Sequence, residues 1–255
     1  MVGVKRAGGW VLWAAPARDG LRFVQLVTVA GPPSSGKTSV LLKLAAVLGR
    51  QGKRLGVVKF DCLTGRDKDV FDAAGIPCAA GQSGALCPDH FFVCNASDAH
   101  AWGLSLGLDV LAVESAGLCN RCAPHVEGAL AVCVVDNLSG IDTPAKIGPM
   151  LRLADVVAVT KGDVVSQAER EVFAFRVRRA NPRATVLFVS GLTGQGAEAL
   201  AHVVAGAPAT PTLDGASLRF TMPAAVCSYC LGQRKIGADH QMGNVRKMDF
   251  PREPA

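Results

Sequence analysis

The chain has 255 residues, 49% of them hydrophobic and 19% charged, with 28 glycines and a formal net charge of +6. Such an apolar chain can bury a sizeable core, which excludes global disorder and fits one large domain or one domain with a small appendage. No stretch reaches the roughly 18 apolar residues of a membrane-spanning helix; the longest candidate, residues 96–108, is broken by Asp98 and His100. Lys5 and Arg6 precede a short apolar run, but Arg18 and Asp19 follow without a small-residue cleavage site, so no secretory signal is expected. The scattered basic residues suit a polyanion or an acidic protein partner without specifying either. Nine cysteines form an odd count with two C-x-x-C pairs. That usage argues against a disulfide framework and for reduced thiols in a cytoplasm, some of them on a metal.

In chain order, residues 22–29 form a β-branched apolar run ending at Gly31, a buried strand entering a glycine turn. Leucines at helical spacing predict a helix over 39–48, closed by Gly52. Further strands are expected at 55–60, 110–113, 131–135, 156–160 and 185–189, with helices between them such as 167–179. Strands alternating with helices predict a doubly wound, mostly parallel α/β sheet of the P-loop NTPase type. The proline- and threonine-bearing run 205–216 marks a boundary. The expected organisation is an N-terminal extension at 1–21, a nucleotide-binding domain at 22–206, and a linker with a short cysteine-containing appendage at 207–255. Trp10 and Trp13, in a strand-like stretch, are expected to cover the sheet edge.

Gly31-Pro32-Pro33-Ser34-Ser35-Gly36-Lys37-Thr38 is a complete G-x-x-x-x-G-K-T. Its backbone N–H groups, with those of Ser39 and the helix start, would surround phosphates. Lys37 would reach the β- and γ-phosphates, and the Thr38 hydroxyl would ligate Mg²⁺. Thr160-Lys161-Gly162-Asp163 and Ser190-Gly191-Leu192-Thr193-Gly194 stand at the ends of the fifth and sixth of these expected strands. An Asp there can accept from both N1–H and N2–H₂ of guanine, a pair adenine lacks. The Lys161 stem would cover the base, and the Ser190-Gly191-Leu192 turn would reach its exocyclic oxygen. Guanine is therefore expected over adenine.

Together these segments resemble the G1, G4 and G5 motifs of P-loop GTPases, with Thr160 where Asn is usual. More narrowly, residues 22–205 resemble the SIMIBI-class nickel-insertion GTPases that mature hydrogenase and urease. Asp61-Cys62-Leu63-Thr64-Gly65-Arg66-Asp67 is similar to their D-x-x-T-x-x-D switch I, and Glu114-Ser115-Ala116-Gly117 to their E-x-x-G switch II. Pro144-Ala145-Lys146 is similar to their P-x-K segment. The resemblance implies that Asp61 orients the attacking water or the Mg²⁺ shell, and that Glu114 senses metal and γ-phosphate through water. Independently of any family, acids at strand ends lie where ligands bind in open α/β sheets.

Cys119-Asn120-Arg121-Cys122 directly follows the switch II glycine, and His125 lies close enough in sequence to offer a third ligand. Two thiols at this spacing can chelate one soft metal. A metal here would be coupled to a loop that responds to loss of the γ-phosphate. The resembled GTPases bind metal at a dimer interface through a Cys-Pro-His or Cys-His element. Here the matching place reads Cys87-Pro88-Asp89-His90, one residue longer, so Cys87 is the expected ligand and His90 the doubtful one. Alternatively, two subunits facing across switch II would supply four thiolates, enough for a bridging [4Fe–4S] cluster or one tetrahedral zinc. In the tail, Cys227-Ser228-Tyr229-Cys230 offers two ligands for zinc or an iron–sulfur centre, or a redox dithiol. Cys133, inside an apolar strand, reads as core packing.

The expected protein is thus a cytoplasmic, homodimeric GTPase using GTP and Mg²⁺. It would couple nucleotide state to delivery of Ni²⁺ or Zn²⁺, or of a [4Fe–4S] cluster, to a client metalloenzyme. A nucleotide-gated iron–sulfur electron carrier is the alternative. Neither membrane nor nucleic acid is an expected partner, since aromatic stacking residues are scarce.

Overall fold

The computed structural model describes residues 22–62, 65–118, 122–221, 232–243 and 245–251, together with the backbone of 2–6 and 9–13. Strands β1 (Val2–Arg6) and β2 (Gly9–Trp13) pair only with each other, Val2 opposite Trp13, and stay outside the large sheet. The side chains of Trp10 and Trp13, expected to cover the sheet edge, lie outside the described residues.

From residue 24 the chain alternates as expected. β3 (Val24–Ala30) leads into α1 (Lys37–Arg50), then β4 (Leu55–Asp61), α2 (Asp67–Ala73), β5 (Cys78–Gln82), α3 (Pro88–Ser105) and β6 (Val110–Ser115). β7 (Leu130–Asp136), the short helices α4 (Thr143–Lys146) and α5 (Pro149–Arg152), and β8 (Val156–Thr160) follow. α6 (Gln167–Ala180), β9 (Thr185–Phe188), α7 (Ala197–Ala205) and β10 (Ala209–Thr210) complete the series. The sheet order is β5-β4-β6-β3-β7-β8-β9, all parallel, with β10 pairing antiparallel to the start of β3. Helices cover both faces, which is why β6, β7 and β8 are buried at every position rather than at alternate ones.

β5 and β10 escaped the sequence reading, and α3 was not placed within it. β5 lacks β-branched residues. α3 shows no amphipathic stripe because it is buried on most sides. One side packs on β4 and β6, and the other is covered by the end of the chain. There the Asn95 amide donates to the Arg246 carbonyl and accepts from Met248 N–H, and Trp102 Nε1 donates to the Pro251 carbonyl. Leu213, Leu218 and Ile236 join Phe60, Phe91 and Phe92 in one apolar cluster. The described parts of the C-terminal segment therefore share the core of the nucleotide-binding unit.

Candidate nucleotide site and adjoining thiol pocket

The C-terminal ends of β3, β4, β6, β7 and β8 converge on one edge of the sheet, where open α/β folds bind ligands. Gly31 leaves β3 at φ +145°, and a Cβ there would stand 2.0 Å from the Val134 carbonyl oxygen; only glycine passes so close to β7. Ser34 (φ 60°) and Gly36 (φ 92°), both left-handed, turn the loop into α1, with Gly36 as its N-cap. This is the conformation that gathers N–H groups into an anion-binding concavity. Lys37 Nζ donates to the Gly31 and Pro32 carbonyls at 2.9 and 3.0 Å. Burial lowers its ammonium, a pull that Glu114 only partly offsets.

A cleft of about 450 Å³ opens beside this loop, lined by Lys37, Thr38, Lys59, Asp61, Asp67 and Glu114 among others. The parallel register sets Lys59 of β4 opposite Glu114 of β6. Lys59 Nζ lies 3.1 Å from Glu114 Oε1 and 3.4 Å from Thr38 Oγ1, and is ion-paired with Asp67 at the head of α2. Burial would lower the Lys59 ammonium, but Glu114 and Asp67 more than offset it and hold it above its usual range. Burial also pushes the Glu114 carboxyl upward, against the pull of Lys59 and Lys37. Thr38 Oγ1 is 3.4 Å from each Glu114 oxygen, and Asp61 Oδ1 accepts from Cys62 N–H. Thr38, Asp61 and Glu114 line the same cleft, and Lys59, which the sequence reading did not single out, joins them. Its signal was a lone lysine in an otherwise apolar strand.

On the opposite side of the P-loop, Thr160 Oγ1 donates to the Ser35 carbonyl at 2.6 Å, with Val135 O at 3.2 Å. The hydroxyl at 160 therefore ties β8 to the phosphate loop. Lys161 takes a left-handed φ of 55°, with Nζ 3.6 Å from Asp136 Oδ1, and Asp163 is exposed in the following single turn. Ser190 is buried and its Oγ accepts from Thr193 N–H; Gly191 backs onto Ser39, and Leu192 is 77% exposed. Asn137, another residue the sequence reading missed, donates to the Thr160 carbonyl at 2.8 Å.

Against this site lies a thiol pocket. Cys87 is the N-cap of α3, and its sulfur, a carboxylate oxygen of Asp89 and the Cys122 sulfur all lie within 4.8 Å of one another. The Cys122 thiol pulls Cys87 down against its burial, and the His90 and Asp89 N–H groups of the first helical turn pull it further, to about 6. Asp89 is 2% exposed, and its Oδ1 has no hydrogen-bond partner. Burial, then the nearby Cys87, pushes its carboxyl up to about 7. The residue inserted relative to the resembled element has thus brought Asp89, rather than His90, to the two sulfurs.

His125 corrects the sequence reading. It is fully buried, and burial pushes its imidazole down to about 4. Nε2 lies 3.0 Å from the Met150 carbonyl oxygen, so it donates there, and Nδ1 accepts from the Thr28 hydroxyl at 2.8 Å. Both nitrogens are committed, so His125 is an anchor and not a ligand. Cys133 is fully buried, its thiol pushed up to about 12, which suits packing. Cys119, Cys227 and Cys230 lie outside the described residues, as does Thr64. At the described start of the tail, Leu218 shares an apolar cluster with Cys122 and Val126. Leu218 bridges to Val126, and Arg219 donates to the Val126, Ala129 and Leu153 carbonyls and to Asp155.

With the phosphate loop, acidic strand ends and Thr-Lys-Gly-Asp turn gathered at one edge of a parallel sheet, the chain is a P-loop GTPase of the SIMIBI class. The family described as "CobW/HypB/UreG, nucleotide-binding domain" matches residues 25–188, and the chain belongs to that family. It is 41% identical to the uncharacterized protein MJ0120 of Methanocaldococcus jannaschii, over 89% of this chain and 97% of that one. It is 31% identical to the hydrogenase maturation factor HypB of Azotobacter chroococcum, over 67% of this chain, and spans 56% of that factor's length. The urease accessory protein UreG of Haloquadratum walsbyi is 28% identical over 72% of this chain and 96% of its own. Among solved structures, HypB from Archaeoglobus fulgidus has the same fold, with a TM-score of 0.58 at 22% identity, covering 72% of this chain and 89% of its own. No helix among the described residues is long and apolar enough to cross a membrane.

Proposed function

We propose that the chain is a metallochaperone that uses GTP hydrolysis to gate delivery of a metal ion to a client metalloenzyme or another maturation protein. The observation that carries this reading is the placement of Cys87, Asp89 and Cys122 together, with Cys122 following switch II and Asp89 buried. Two sulfurs and one carboxylate oxygen suit a soft or borderline ion such as Ni²⁺ or Zn²⁺, here the cargo. A second copy of the chain would complete the coordination and make the working form a homodimer in the cytoplasm. A relative named as a hydrogenase maturation factor and another named as a urease accessory protein favour nickel. A [4Fe–4S] cluster held by Cys119 and Cys122 of two copies is the alternative cargo, with Cys87, beside Cys122, as a further thiolate for it. Cys119, Cys227 and Cys230 keep their proposed role as further thiolate ligands.

In the nucleotide site, Gly31, Ser34, Ser35, Gly36 and Ser39 frame the phosphates, Lys37 reaches the β- and γ-phosphates, and Lys161, Asp163 and the Ser190-Gly191-Leu192 turn read guanine. Mg²⁺ fits the oxygen donors of Thr38, Asp61 and Glu114, and the buried Lys59–Glu114 ion pair in the same cleft supports a cation-binding role for these oxygens. Bound there, Mg²⁺ would neutralise charge on the transferred phosphoryl group. Asp61 orients the water, and Glu114 links the γ-phosphate to switch II and so to the thiol pocket.

Anaerobic purification followed by nickel, zinc, iron and acid-labile sulfide analysis separates the two cargoes. Metal affinity is then measured with GTP, with GDP and without nucleotide. A nucleotide effect below about twofold, under roughly 0.4 kcal/mol of coupling, would sink the gating reading.

A further inference from the structure

Two ammoniums are buried in the nucleotide cleft, and the P-loop accounts for one of them. The other is Lys59, 7% exposed, two residues before Asp61 on β4. A buried ammonium persists only where anions and acceptors satisfy it. Those groups are Glu114 Oε1 at 3.1 Å, Thr38 Oγ1 at 3.4 Å and the Asp67 carboxylate. Thr38 and Glu114 are also the oxygens assigned above to Mg²⁺, and Asp67 lines the same cleft.

A magnesium ion demands its oxygens at about 2.0–2.1 Å in a near-octahedral array. An ammonium drawing on the same oxygens stands in its place, and two cations so close repel strongly in a poorly solvated cleft. Lys59 and a divalent ion therefore exclude one another. The phosphates of a nucleotide change that balance, because they add negative charge beside Lys59 and give the ammonium another anion to face.

We propose that Lys59 is an internal counter-ion that the divalent metal must displace, so that metal binds at Thr38 only together with nucleotide. The inference rests on the magnesium reading and adds an order of loading to it. Lys59 acts here as a positioning residue. Without it, Glu114 and Asp67 would lose the ammonium they share, Lys37 alone would remain beside the acids of the cleft, and those acids would recruit a divalent ion on their own.

The test uses Mn²⁺ as the probe, with free Mn²⁺ read by electron paramagnetic resonance. Full-length protein carrying Cys87→Ser and Cys122→Ser is used, so that the thiol pocket does not contribute. With Lys59 present, Mn²⁺ affinity without nucleotide should be weak and should tighten by about tenfold or more with a non-hydrolysable GTP analogue. Lys59→Met, or Lys59→Gln should Met impair folding, should bind Mn²⁺ without nucleotide about tenfold more tightly than the lysine form. Lys59→Arg, keeping the charge, should retain the exclusion. Equal affinities of the Met or Gln variant and the lysine form without nucleotide, alongside tighter binding with the analogue, would overturn the proposal and leave the magnesium site standing. No Mn²⁺ uptake in any form, with or without analogue, would remove the magnesium assignment and the proposal together.

Discussion

The Cys87 sulfur at the head of α3 and the Cys122 sulfur beyond switch II lie within 4.8 Å of each other, although separate segments of the chain carry them. Helix N-terminal N–H groups and the partner thiol hold Cys87 at about 6, so it is largely thiolate near neutrality and ready to bind metal without a proton to lose first. Loss of groups that merely support ligands weakens metal sites by roughly 10–100-fold. Cys87→Ser and Cys122→Ser should therefore each weaken Ni²⁺ or Zn²⁺ binding beyond that range, and Asp89→Asn within it. Competition titration against a chromophoric chelator measures all three. An Asp89→Asn protein with unchanged affinity would leave the carboxylate outside the donor set.

Gly117 of switch II stands directly over the phosphate loop, at φ +70°, where a Cβ would come within 1.7 Å of the Gly31 carbonyl oxygen. Gly117→Ala must push the two loops apart, and steady-state phosphate release should fall steeply. Gly128→Ala is the control, because Gly128 has a similar φ of +82° with nothing within 4 Å. Both substitutions carry a left-handed penalty of about 1–2 kcal/mol. Only the first should lose turnover. Similar activity in the two would mean that the contact between switch II and the P-loop is mere packing.

Thr160 places a hydroxyl where the resembled GTPases carry an amide, and that hydroxyl holds the Ser35 carbonyl. Thr160→Val keeps the shape and leaves a buried carbonyl without its donor, at a cost of about 1–3 kcal/mol in unfolding free energy. GTP affinity should fall with it, as the loop loses its tie to β8. Denaturant unfolding and a fluorescent-nucleotide titration check the two parts separately.

His125 gives the fold a pH dependence. Its pKa falls from an ordinary 6.5 to about 4 on burial, so between those values the unfolded chain binds a proton that the folded chain refuses. Stability from this group is complete above pH 6.5 and is lost as pH falls towards 4, by about 3 kcal/mol in all. Asp89 titrates in the opposite sense, because its raised pKa of about 7 makes the folded chain the better proton binder below that pH. The two nearly cancel in the native sequence. In an Asp89→Asn background the His125 slope should emerge, as a midpoint in urea that drops steadily from pH 6.5 to pH 4. Glu114, also pushed upward by burial, opposes this slope, so the profile is compared with that of an Asp89→Asn, His125→Asn protein; identical profiles would show that His125 stays protonatable in the fold.

Much of the site was legible because it depends on local backbone demands. The turn through Gly31 and Gly36 admits few residues, the helix after it has an ordinary apolar stripe, and the strand runs are buried on both faces. Such features are written in adjacent residues. α3 was illegible for the converse reason, since its covering partner arrives with Met248 and Pro251 at the far end of the chain. His125 was misread because a histidine near a C-x-x-C looks like a ligand until Thr28 and Met150 are seen to hold both its nitrogens.

The sequence by itself thus determined the P-loop, the Lys-x-Asp turn, the parallel α/β class and the acids at the strand ends, since each follows from short-range spacing and the period of apolar residues. Only the tertiary structure decided that Lys59 faces Glu114 and that Asp89, rather than His90 or His125, meets Cys87 and Cys122. Those meetings depend on the register of β4 against β6 and on where α3 begins relative to switch II. Long-range packing sets both, and no local spacing encodes them.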